Sequence, residues 1–114
     1  MVVRDPAMAL FAVIRSRGPA WNWLLPMRRQ DDWAAHAAYM DALADDGFIL
    51  AAGPLGGEDD APRVLYLIDA ADPTAVEAGL DADPWTPHRL ATLSIEPWTV
   101  LVGSLPSRGT TRAQ

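Results

Sequence analysis

A chain of 114 residues, half of them hydrophobic, suffices for one compact domain and leaves little room for a second. Its formal charge of -6 opposes generic binding to a phosphate backbone, and Arg15, Arg17, Arg28 and Arg29 are too few to form a stripe, so no nucleic-acid partner is expected. There is no cysteine, which excludes disulfides, thiolate metal sites and cysteine nucleophiles.

The first residues lack a long apolar core after a basic segment, and no run approaches the ~20 apolar residues of a membrane span. A soluble cytoplasmic protein without a membrane partner is expected. The run 9–14 (Ala-Leu-Phe-Ala-Val-Ile) is short, rich in strand formers and ended by Arg15-Ser16-Arg17-Gly18-Pro19, which predicts strand β1. From 32 to 46, Trp33, His36, Met40 and Leu43 recur at helical spacing, predicting helix α1 with Asp31 able to cap its start and Gly47 its end. Residues 48–52 read as β2, running into a Gly-Pro hairpin loop and the acidic Glu58-Asp59-Asp60. Residues 64–68 read as β3. Asp72-Pro73 then opens α2, an N-cap acceptor followed by a proline where the amide needs no partner, and the helix ends near Asp81. The last strand, β4, is expected from about 92 to 102, with a bulge or bend near Pro97, because Leu93 and Ile95 alternate in one phase and Trp98, Val100 and Val102 in the other.

The order β-α-β-β-α-β corresponds to the ferredoxin-like plan, an α+β fold whose antiparallel sheet carries both helices on one face. A solvated second face would require alternating polar residues, yet β1, β2 and β3 are almost continuously apolar. A second copy packed sheet to sheet is the simplest cover, so a homodimer through the sheet faces is expected. The loop from Gly18 to Arg29 carries Trp21, Trp23, Leu24, Leu25 and Met27, too apolar for a merely solvated connection. It reads either as a lid over a pocket or as a loop packed on its own subunit or the partner. The termini, 1–7 and 104–114, are expected to be mobile.

An imidazole on the apolar face of α1 needs a partner to offset its desolvation. Asp83 is the partner nominated for His36, because Pro84 disfavours helical geometry at Asp83 and sends its carboxylate out of α2 on an extended corner. A carboxylate on one ring nitrogen would fix the tautomer and leave the other nitrogen for substrate, the His-Asp part of a triad without its nucleophile. The bland alternatives also stand: His36 as a satisfied interior group, and Asp83 as a cap for the amides of its own corner.

The segments Gln30-x-x-Trp33-x-x-His36-Ala37-x-Tyr39-Met40-Asp41-x-Leu43, Gly47-Phe48, Gly53-Pro54-Leu55-Gly56, Asp83-Pro84-Trp85 and Glu96-Pro97-Trp98 occur in the order found in the YciI-like (YCII-related) family, which the chain resembles over about residues 8–103. The resemblance implies a dimeric α/β barrel and an active site built around a His and an Asp, roles that fall here on His36 and Asp83. The enlarged Trp-rich loop and Pro87-His88-Arg89 depart from the shortest family members where a pocket could be reshaped, so no substrate transfers from a relative.

These readings predict a cofactor-independent acid/base enzyme of isomerase or lyase type acting on a small cyclic or aromatic metabolite, with His36 and Asp83 catalytic. Arg15 reads either as an ordinary strand-end charge or as a hold for an anionic or phenolic substrate oxygen, and Trp85 either as a core or dimer-interface aromatic or as an apolar pocket wall. Gly53 and Pro54 are explained by a strand-to-turn transition alone. His36 and His88 lack the close helical spacing of a metal motif, and there is no GxGxxG or P-loop, so no metal and no cofactor are expected. The competing reading is a noncatalytic dimeric module that binds a small ligand in the same pocket or assists a neighbouring enzyme.

Overall fold

The computed structural model describes residues 8–58 and 60–105. Its elements are β1 (Ala9–Arg17), a single 3₁₀ turn (Met27–Arg29), α1 (Trp33–Asp45), β2 (Ile49–Pro54), β3 (Arg63–Ala70), α2 (Pro73–Asp81) and β4 (Leu90–Pro97). The four strands form one antiparallel sheet in the order β2-β3-β1-β4. That is the ferredoxin-like α+β arrangement expected from the sequence.

Alternation through the middle of β1 and β3 sets the two faces. Phe11, Val13, Val64, Tyr66 and Ile68 are buried and join Val76 and Leu80 of α2 in the core. Ala12, Ile14, Leu65 and Leu67 lie on the opposite side and are only half-buried. No helix of the described residues is long and apolar enough to cross a membrane.

The helix ends obey local chemistry unevenly. Asp72 caps α2, its Oδ1 accepting from the Ala75 amide at 2.8 Å with Pro73 at the first helical position. Gly47 follows α1 at φ 83, where a side chain would be strained. The expected Asp31 cap is not formed. Asp32 occupies the N-cap position at φ 62 without a side-chain cap, and the Asp31 carbonyl instead accepts the Trp85 indole N–H at 2.8 Å. The start of α1 is thus tied to the corner after α2 rather than capped locally.

β1 runs three residues past its expected end, through Arg15 and Arg17, because both side chains turn inward. β4 is shorter than expected and the irregularity lies elsewhere. Ile14 pairs with Ser94 and Arg15 with Thr92, which leaves Leu93 as the extra residue. The change of phase therefore falls at Leu93, not near Pro97, and past Pro97 the strand ends after the Trp98 amide bonds to the Leu10 carbonyl at 2.9 Å. Of the termini expected to be mobile, 1–7 and 106–114 lie outside the described residues.

Candidate active site

The corner after α2 presents Asp83 inward. Its amide bonds to the Leu80 carbonyl at 3.1 Å, and its own carbonyl receives the Thr86 amide at 2.9 Å, so the backbone leaves the helix in a tight turn. The carboxylate is buried, with Oδ1 2.8 Å from His36 Nδ1 and accepting the Trp85 amide at 3.0 Å. The other oxygen, Oδ2, is 2.9 Å from Arg15 Nη1. Asp83 therefore caps its own corner and binds the imidazole with the same oxygen.

Burial pushes the Asp83 carboxyl up, but the hydrogen bonds from His36, the Trp85 amide and Arg15 together more than offset it and hold the group below its ordinary range. An ionised carboxylate only accepts, so the proton between the two groups sits on Nδ1. In the neutral ring the lone pair is then on Nε2.

Arg15 is 0% exposed. Besides Asp83, its guanidinium donates to the Thr86 hydroxyl, to the Leu90 carbonyl at 3.3 Å and to the Tyr66 hydroxyl at 3.4 Å. Arg15 is engaged with Asp83 and is not among the residues that line the pocket in front of His36. A buried ion pair stabilises little after desolvation, but either member left alone in the interior costs several kcal/mol.

Trp85 lies flat under His36, centroids 3.8 Å apart and planes 8° from parallel. Trp21 meets Trp85 edge-on at 5.4 Å and 84°. The imidazole is thus fixed in plane by stacking and in rotation by its hydrogen bond.

In front of the ring is a pocket of about 480 Å³ between α1 and the β2–β3 end of the sheet. Trp21, Trp33, Trp85, Met27 and Met40 give it apolar walls, and His36, Arg17, Asp41 and Tyr66 also line it. Gly53 and Pro54 form part of the wall, and a Cβ on Gly53 would meet nothing within 4 Å. The volume is in the range of small-molecule sites. Trp98 is 42% exposed and is not among the residues of the wall.

The Trp-rich loop packs on its own chain at Trp21, which is buried, and contributes Met27 to the wall, while Trp23 and Leu24 remain 55% and 92% exposed. Gln30 organises it. Its buried side chain accepts the Asn22 amide at 2.9 Å and donates to the carbonyls of Asn22 and Leu25 at 2.7 and 3.1 Å. Sequence reasoning used Gln30 only as a family fragment and did not single out Tyr66. Tyr66 pairs with Val13, two residues from Arg15 on the same face, but that register is invisible before the sheet is assembled.

Against known proteins, the chain matches the family model of the YCII-related domain over residues 9–99. No curated protein and no solved structure matches it.

Proposed function

Starting from a chain that belongs to the YCII-related family, we propose that it is a cofactor-independent acid/base catalyst of isomerase or lyase type, acting on a small cyclic or aromatic metabolite. The observation that carries this reading is that His36 lines the pocket while Asp83 occupies its Nδ1, which leaves Nε2 for a substrate. Nε2 acts as the base that removes a proton and the acid that returns it. Asp83 orients the ring and meets the charge of the imidazolium while the proton is held. Arg15 is a positioning residue that, after His36 and the Trp85 amide, adds to holding the Asp83 carboxyl below its ordinary range. Trp85 fixes the ring plane and, with Trp21, Trp33 and Met27, makes the surroundings of the imidazole apolar.

The half-buried apolar stripe of Ala12, Ile14, Leu65 and Leu67 supports a homodimer packed through this sheet face. The pocket lies on the helical side, so it does not require the second copy to close it.

A thermal-shift screen of small cyclic ketones, lactones and phenols, followed by NMR of each hit for turnover, tests the reading. Turnover that disappears in His36→Ala supports it. Hits that bind without turnover, equally in wild type and His36→Ala, would instead identify a ligand-binding module.

A further inference from the structure

Tyr66 is buried, lines the same pocket as His36, and has no role in the acid/base pair. Its hydroxyl accepts from Arg15 Nη1 at 3.4 Å, and Nη1 is also the atom that binds Asp83 Oδ2 at 2.9 Å. One guanidinium nitrogen thus links the phenol to the carboxylate that holds the imidazole. The phenolic proton is directed at the Met40 thioether, 3.5 Å away. A thioether is a weak acceptor, so a buried O–H donor is left poorly satisfied against a side chain that itself lines the pocket.

We infer that Tyr66 is a second catalytic residue, whose hydroxyl donates a hydrogen bond to a substrate carbonyl oxygen while His36 takes the proton from the adjacent carbon. The inference rests on the acid/base reading and narrows its substrate class to planar cyclic carbonyl compounds with an acidic α C–H. In the step, the C–H bond breaks, its proton goes to Nε2 and its electron pair forms a carbon–carbon double bond. The carbonyl π pair moves onto oxygen, where the Tyr66 O–H receives the developing charge. In a substrate with a β,γ double bond, return of the same proton from the imidazolium to the γ carbon, with the oxygen pair re-forming the carbonyl, completes an isomerisation with no co-reactant.

The surroundings suit a donor rather than a base. Burial raises the phenol against the lowering effect of Arg15, so the group keeps its proton at neutral pH. Arg15 occupies a lone pair of the oxygen and polarises the O–H bond outward. Met40 is flexible and can yield its place to a carbonyl oxygen. A donor preorganised in an apolar site acts on charge that develops in the transition state, an effect of about 10²–10³ in rate where such donors are removed.

Phenolates mimic the planar enolate, and they test Tyr66 without turnover. Calorimetric titration of wild type with substituted phenols of graded acidity, and with the same rings lacking the hydroxyl, should show tighter binding as the phenol becomes more acidic. Tyr66→Phe should lose about tenfold or more for phenolates and bind the bare rings unchanged. Met40→Leu, which removes only the thioether acceptor, should retain the phenolate preference. Wild type that does not prefer phenolates, or a Tyr66→Phe loss equal for phenolates and bare rings, would overturn the inference. The two readings fail separately. Deuterium exchange at the α carbon of a ketone ligand in D₂O should stop in His36→Ala, whose failure to stop it refutes His36 as the base whatever the phenolates show.

Discussion

The His36 imidazole lies flat on the Trp85 indole, with ring centroids 3.8 Å apart and planes 8° from parallel. The indole N–H at the same time holds the start of α1 through the Asp31 carbonyl at 2.8 Å. Trp85 therefore joins the helix bearing the imidazole to the corner bearing the carboxylate. Trp85→Ala should cost roughly 3–5 kcal/mol, the usual range for a buried aromatic. Trp85→Phe keeps a flat ring and should cost less. Denaturant midpoints of the two variants check the order.

The Arg15–Asp83 pair predicts strong non-additivity. Asp83→Asn leaves a fully buried guanidinium without its counter-charge and should destabilise by about 3–5 kcal/mol. Arg15→Met strands the carboxylate instead. The double variant should be more stable than the sum of the singles predicts, by on the order of 1–3 kcal/mol. A double-mutant cycle from urea unfolding measures the coupling.

Acid should weaken the fold through Asp83. Its folded carboxyl titrates below the unfolded one, whose ordinary value is about 3.9. The stabilisation is therefore complete above the unfolded value and is lost as pH falls through the folded one. Tyr66 has the opposite sign. Its raised phenol contributes stability that is present below the unfolded value of about 10 and is lost as pH rises through the folded one. Urea midpoints between pH 7 and 3 should fall less steeply in Asp83→Asn, and those above pH 10 less steeply in Tyr66→Phe, than in wild type.

Gln30 should matter to the pocket although it does not line it. Gln30→Ala removes three hydrogen bonds that hold the turn between Asn22 and Leu25, at a cost of roughly 2–3 kcal/mol. Trp21 and Met27 would then lose their anchorage. Ligand affinity should fall in parallel, and calorimetry on any hit detects it.

Leu67→Glu introduces a charge into the half-buried face away from the helices. Wild type should sediment as a dimer and the variant as a folded monomer. A wild-type monomer well above micromolar concentration would contradict the sheet-to-sheet interface.

Much of this architecture was legible in the sequence, and the exceptions have physical causes. Strand and helix order followed from apolar runs between turn residues, and the α2 start from Asp72-Pro73. The encounter of His36 with Asp83 was inferable because an interior imidazole needs a partner and Pro84 turns the carboxylate off its helix. The burial of Arg15 was not legible, because a charged residue at the end of an apolar run reads as a strand terminus, whereas here β1 continues and buries it against Asp83. The bulge at Leu93 and the hydroxyl of Tyr66 depend on strand register, which no local pattern along β3 or β4 encodes.

The central claim is that Asp83 holds the proton on Nδ1 and leaves the Nε2 lone pair to the pocket. With two histidines in the chain, long-range nitrogen–proton NMR of the neutral imidazoles reads it directly. The account predicts that His36 carries its proton on Nδ1 in wild type and that this preference weakens in Asp83→Asn. A wild-type His36 protonated on Nε2, with Nδ1 bare, would contradict it.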